Sequence, residues 1–373
     1  MTYRPAHMKF GVFMAPLHHR VGDNPTLSIH QDLELIEQLD RLDFDEAWIG
    51  EHHSGAVEIF AAPEVMIAAA AQRTRKIMLG TGVVDLPLHH PFMVADRAVM
   101  LDHLTKGRAM LGVGSGALRA DFTMLGLEPA HKGRMSEEAL SAIVQLLRAE
   151  APVTMKTDWF ELNEARLHIA SYTKPHLPIA VAGSSSEDRT SAAGRYGLWQ
   201  LSAARSPQAL KEAWDWVEAS AQAHAQTVSR ANFRATKFLH VAESRQQALD
   251  ECRERFPKFY GLPLLGVSLN GTNEHQLPEE SVAVGGAIIG TPDEAIAAIE
   301  ELQRGSGGFG GFLHAMFGLT SRDAMLRSFE LIARHVMPHF QGQFETMHAN
   351  REWVVATNGG PIAPIGTLHR PGH

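Results

Sequence analysis

The chain has 373 residues, with 34 Lys and Arg against 42 Asp and Glu, giving a formal net charge of −8. That length can bury a sizeable core, and the negative balance without a basic run excludes general binding to the phosphate backbone of nucleic acid. No apolar run approaches the roughly 18 to 20 residues of a membrane span, the start MTYRPAHMKF lacks the apolar core of a signal peptide, and the single cysteine, Cys252, fits a reducing compartment, so a cytoplasmic protein is expected.

Short β-like runs alternate with amphipathic helical stretches. Met8–Met14 reads as a strand, followed by a helix over Ile29–Asp43 whose Leu33, Ile36, Leu39 and Leu42 share one face. Ala47–Gly50 is a second strand, Pro63–Lys76 an Ala-rich helix, and Ile77–Leu86 a strand apolar enough for burial on both faces. A helix over Phe92–Leu104, a strand at Ala109–Val113 and a helix over Ser136–Ala149 follow. Val153–His168 reads as a β-rich excursion between Pro152 and Pro175. The alternation then resumes with strands Ile179–Ala182, Leu198–Ser202 and Ala235–Ala242, and with helices Glu187–Arg195, Gln208–His224 and Gln246–Arg255. Leu262–Gly286 reads as a long excursion, either a lid or a disordered surface loop. Thr291-Pro-Asp-Glu294 starts a helix with Thr as cap and Pro in the first turn. Phe309–Phe317 is the last strand and Ser321–His335 the last helix. About eight βα units predict an α/β fold, a (β/α)8 TIM barrel with insertions near 151–177 and 262–286, as one domain over 1–357 with a flexible tail at 358–373. A doubly wound open sheet is the competing arrangement.

Barrel enzymes build their sites where strands end. Glu51-His52-His53 follows the second strand, Asp85 and His89-His90 follow the third, and Gly112-Val-Gly114-Ser115-Gly116 with Arg119 and Asp121 follows the fourth. Gly183-Ser184-Ser185-Ser186 follows the fifth, and His314 lies on the last. Neighbours on an extended segment point to opposite sides, so His52 and His53 should not share one metal ion, and no metal is expected. One of them can serve as a general base at the mouth, or as a structural histidine tied to a neighbouring loop. The Gly183–Ser186 turn, before a helix, suits either a phosphate, with Arg189 or Arg195 adding charge, or an ordinary N-cap. The glycines at 112–116 lack the dinucleotide-binding spacing; they clear space for a flat ring or simply make a turn.

Together Glu51-His-His53, Leu79–Pro87 with His90-Pro91, Leu101–Arg108, Gly112–Gly116 with Asp121-Phe122, and Gly183–Ser186 resemble the bacterial luciferase-like flavin monooxygenase family, in family order over roughly residues 8 to 340. Asn24–Leu27, Asp45–Ser54 and Leu86–Pro91 look like its limonene-oxidising members. The resemblance implies a luciferase-like barrel that binds reduced FMN or FAD at its C-terminal mouth. It implies that O2 is the co-substrate, that a C4a-peroxyflavin oxygenates a small apolar molecule such as a monoterpene, and that a separate NAD(P)H-dependent reductase supplies the flavin. It further implies His52 as catalytic histidine, a non-prolyl cis peptide or bulge at Gly82-Val83, contacts from Val84, Asp85 and Gly114 to the flavin ring, a phosphate held by Gly183 and Ser184–Ser186, and a homodimer. Where luciferase carries a phosphate-assisting arginine this chain has Ser115, a role that Arg189 can take over. The alternatives are a deazaflavin (F420)-dependent oxidoreductase of the same fold, a metal-dependent barrel hydrolase with His52 and Asp85 as ligands, and a flavin-binding protein without turnover.

Overall fold

The computed structural model describes residues 2–15, 18, 23–56, 58–183, 187–204, 206–256 and 277–358, with backbone only for 187–190 and 358. Eight parallel strands close on themselves: β1 (Lys9–Met14), β2 (Glu46–Ile49), β3 (Met78–Thr81), β4 (Ala109–Gly114), β5 (Ile179–Ala182), β6 (Trp199–Ser202), β7 (Phe233–Val241) and β8 (Gly311–Met316). Each pairs with the next, and β8 returns to β1 with His314 opposite Val12, so the sheet is a barrel and not an open, doubly wound one. Val84–Asp85 adds to β4, and Ala287–Gly290 adds to the outer half of β7. Val153–Lys156 and Glu161–Ala165 form a separate antiparallel hairpin, the expected β-rich excursion.

The strands are largely buried on both faces because both are covered, mostly with apolar side chains, but Glu46, Gln200, Arg234, Lys237, His240 and His314 are buried on them as well. Inside, Trp48, Met110, Ala180, Leu201 and Leu313 meet in one cluster. Trp48 fits there because residue 80 is glycine; a Cβ on Gly80 would lie 2.5 Å from its ring. At the base, Arg234 donates to both Glu46 carboxylate oxygens at 2.7–3.0 Å, Trp48 Nε1 donates to Glu46 Oε2 at 3.0 Å, and the Arg234 guanidinium lies 4.6 Å from the Trp199 ring centre. Outside, the helices between strands bury their apolar faces on the sheet, Leu33, Ile36 and Leu39 among them. Their starts follow side-chain chemistry: Asn24 Oδ1 accepts from the N–H groups of Thr26 and Leu27, and Thr291 with Glu294 forms a reciprocal capping box.

Several boundaries differ from the expectation. The helix from Pro63 stops at Ala71, because Asp40 accepts hydrogen bonds from the N–H groups of Arg75, Lys76 and Ile77 and draws the chain into a turn. The run Ile77–Leu86 is not one strand: β3 ends at Thr81, a cis peptide joins Gly82 to Val83, and Leu86–Leu88 is a 3-10 turn. The last helix turns to a π-helical stretch at Ile332–Val336. Helices at Arg119–Met124, Pro278–Ala283 and Glu345–Asn358 are additional, the second inside the expected excursion, whose remainder at 262–276 lies outside the described residues together with 359–373. Among the described residues no helix is long and apolar enough to cross a membrane.

Candidate active site at the barrel mouth

The C-terminal ends of β2, β3 and β4 carry a dense group of titratable side chains. After β2 the chain turns so that His52 and His53 take different partners. His53 Nε2 and His89 Nε2 both reach Glu51 Oε1, at 2.7 and 2.5 Å, and Glu51 Oε2 accepts the Asp85 N–H at 3.1 Å. Burial pushes the Glu51 carboxyl up, but the hydrogen bonds from His89, His53 and Asp85 outweigh it and leave Glu51 below its ordinary value. Glu51, His53 and His89 form the one group among the described residues that could share a metal ion, and it contains neither His52 nor Asp85, the ligands expected for a hydrolase. Both imidazoles already point at a single carboxylate oxygen, as in a hydrogen-bonded network.

His52 faces the other way. Its Nε2 is 3.4 Å from Glu58 Oε2 and its Nδ1 is 3.6 Å from Asp121 Oδ2. Burial lowers its pKa, with Asp121 opposing, so the ring is neutral at neutral pH. Burial, then the charges of Asp85 and Asp121, raise Glu58 to about 8. Burial likewise raises Asp85 well above its ordinary value, with Glu51 and Asp121 adding to it.

Val84 and Asp85 are buried beside β4. Gly114 leaves room for Val83, whose Cγ2 would be 2.6 Å from a Cβ at that position. Beyond it a cavity of about 370 Å3 opens between β4, β5 and the helix Lys132–Arg148. Gly114, Ser115, Arg134, Ser136, Glu137 and Arg195 supply its polar wall, the Glu137 carboxylate being paired with Arg195, and Leu86, Val113, Leu140 and Val181 its apolar wall. Ser136 Oγ and Arg195 Nε are buried there without a hydrogen-bond partner. The donor set therefore fits an elongated ligand with an apolar body and anionic oxygens, as a flavin mononucleotide is. Arg134 is bound to Glu138 and Asp158, and Arg195 to Glu137. Gly183 lies at the end of β5 and its N–H donates to the Leu201 carbonyl at 3.1 Å. Ser184, Ser185, Ser186 and the Arg189 side chain lie outside the described residues.

Glu58, Arg134 and Ser136 are not among the site residues expected from the sequence, where Ser136 marks only a helix start. Arg134 and Ser136 escape it because the helix begins at Lys132, a turn earlier than the apolar periodicity shows. Glu58 sits in an irregular loop, where the one signal is an acid set directly before Ile59 and Phe60.

The sequence model of the luciferase-like monooxygenases matches residues 8–307. Limonene 1,2-monooxygenase of Rhodococcus erythropolis is 44% identical, with 94% of this chain and 93% of that protein aligned. 4-Hydroxyprotoasukamycin monooxygenase of Streptomyces nodosus subsp. asukaensis is 42% identical over 93% of this chain and 96% of that one. Among solved structures, the oxygenating constituent of 3,6-diketocamphane monooxygenase from Pseudomonas putida, in complex with FMN, shares the fold at a TM-score of 0.74 and 21% identity, covering 89% of this chain and 98% of that one. The chain belongs to the luciferase-like monooxygenase family.

Proposed function

We propose that the protein is the oxygenase component of a two-component flavin-dependent monooxygenase, and that it takes reduced FMN at the mouth and inserts one atom of O2 into a small apolar substrate of monoterpene type. The observation that carries this reading is the cavity beside Gly114, with its apolar wall and the unpartnered Ser136 Oγ and Arg195 Nε. The limonene-oxidising relative supports the substrate class, and the FMN-bound Pseudomonas putida protein supports the cofactor; that it is the oxygenating constituent of its system supports a separate component for this chain too, which we take to be an NAD(P)H-dependent reductase that supplies the flavin.

Reduced flavin, when bound, supplies the electrons that activate O2. This chain's residues bind, orient and shield it. Gly82, Val83, Val84, Asp85 and Gly114 form the surface for a flat ring, and Ser115, Ser136 and Arg195 receive anionic oxygens with Gly183, Ser184–Ser186 and Arg189. Leu86, Val113 and Val181 keep water from the reacting atoms. His52, neutral and at the rim, accepts or gives a proton at Nε2. Exposed Val65, Met93, Met100 and Leu104 on the helices Pro63–Ala71 and Pro91–Thr105 support a homodimer through that face.

Anaerobic fluorescence titration tests the cofactor. Saturable binding of reduced FMN, and none of reduced F420, is expected. Binding of F420 alone would replace the reading with a deazaflavin oxidoreductase.

A further inference from the structure

Glu58 flanks His52 on one side as Asp121 does on the other, and the proposed function gives it no task. Its Oε2 lies 3.4 Å from His52 Nε2, while its Oε1 has no hydrogen-bond partner. The carboxyl can sit there only because residue 50 is glycine; a Cβ on Gly50 would meet Oε1 at 2.2 Å and the Met14 carbonyl at 3.0 Å. Across the imidazole, Asp121 Oδ1 and His52 Nδ1 are also buried without partners. Each buried polar atom left unpaired costs about 1–3 kcal/mol. Three in one array are therefore a poor way to anchor a loop. Asp40, which does anchor one, has its carboxylate filled by three backbone N–H groups.

We infer that Glu58 is a positioning residue for His52: carboxyl and imidazole hold one proton between Oε2 and Nε2, and His52 delivers it into the mouth. This rests on the monooxygenase reading above. The Glu58 O–H bond breaks as the His52 Nε2–H bond forms, giving a carboxylate beside an imidazolium that also faces Asp121. The imidazolium then gives the proton to an oxygen anion arising in the mouth, leaving a carboxylate and a neutral ring, and a proton from water restores the pair. Asp85 and Asp121 are the charged groups that bear on Glu58, and both raise it. Lys132, from the helix that starts there, opposes the rise of Asp85; on His52, Asp121 and Glu51 act upward and the neighbouring His53, itself bound to Glu51, acts downward. The carboxyl thus keeps its proton through neutral pH beside a ring free to accept it, and the two titrate as a pair.

The test uses the flavin-free full chain from about pH 6 to about pH 10, where ordinary carboxyl groups are already ionised. In infrared difference spectra the wild type should lose a protonated-carboxyl C=O band with its midpoint near pH 8, and Glu58→Gln should lack that band. The His52 ring signal, in histidine-labelled protein and assigned by its absence from His52→Phe, should move with the same midpoint and lose that inflection in Glu58→Gln. In turnover, Glu58→Gln should lower kcat roughly a hundredfold without changing the affinity for reduced FMN. An infrared titration unchanged in Glu58→Gln, or a His52 signal with no inflection at that midpoint, overturns the inference. If Glu58→Gln does not fold, the wild-type spectra decide: coincident midpoints support the shared proton and separate ones overturn it. Neither spectrum involves flavin or substrate, so failure of the flavin titration stays distinguishable from failure of this pair.

Discussion

The two ends of the barrel each hold a buried cluster of charged side chains, and they are built differently. At the base, Glu46, Arg234 and the Trp48 indole close a network in which both carboxylate oxygens are used. At the mouth, His52, Glu58 and Asp121 stand close together, and each keeps one buried atom without a partner. The same barrel encloses both, so burial alone does not separate them; satisfaction does. A filled network holds a structure, whereas an unfilled one stores capacity to bind or to move protons.

Breaking the base should cost most. Glu46→Ala leaves Arg234 as an uncompensated buried cation and is expected to lose about 3–5 kcal/mol in urea unfolding. A loss below about 1 kcal/mol would erase the contrast. The mouth should respond to pH instead. The folded-state pKa of Glu58, about 8, lies above its ordinary 4.5, so the native state holds a proton that the unfolded chain releases. Stability from this group is full below about pH 4.5 and is lost as pH rises through about 8, so Glu58→Gln should be more stable than wild type near pH 9, by a few kcal/mol at most. His52, lowered by burial, acts in the opposite sense: its contribution is lost as pH falls below the ordinary 6.5.

Asp102 extends the comparison to a third carboxylate. It is wholly buried and accepts from Ser171 Oγ, Thr173 N–H and Thr173 Oγ1 at 2.6–2.9 Å, tying the hairpin excursion to the helix Pro91–Thr105. Asp102→Asn should cost about 1–3 kcal/mol and speed amide exchange at residues 171–173 without changing the affinity for reduced FMN. Thr291→Ala, which removes one cap, should cost about 1 kcal/mol in the same unfolding assay.

The barrel was legible in the sequence because most of its strands are short, largely apolar runs bounded by Gly, Pro or an amphipathic helix, as Ile179–Ala182 between Pro178 and Gly183 shows; β7, with Arg234, Thr236, Lys237 and His240, is the exception. The end of β3 was not, since the run Ile77–Leu86 stays largely apolar across the cis peptide at Gly82-Val83, and Thr81 and Asp85 alone do not mark a strand end there. Motifs behind the family resemblance divide by location. Leu101–Arg108 proves structural: Arg108 is spent on Thr74 Oγ1 and the carbonyls of Ile77, Ala71 and Thr74, and Asp102 on the excursion. Glu51-His52-His53 lies at the mouth, where adjacency in sequence becomes opposite facing in space. Glu58 could not be paired with His52 from sequence, because irregular loop residues between them carry no periodicity and only the fold brings the carboxyl back over Gly50.

The measurement that tests the account most directly is oxygen-isotope labelling. The protein, an NADH-driven flavin reductase, FMN and limonene are incubated under 18O2, and the products are weighed by mass spectrometry. One 18O atom per product molecule, dependent on this chain and strongly reduced in His52→Phe, is the predicted result. Consumption of O2 with no labelled product across monoterpenes and cyclic ketones would contradict a monooxygenase at this mouth.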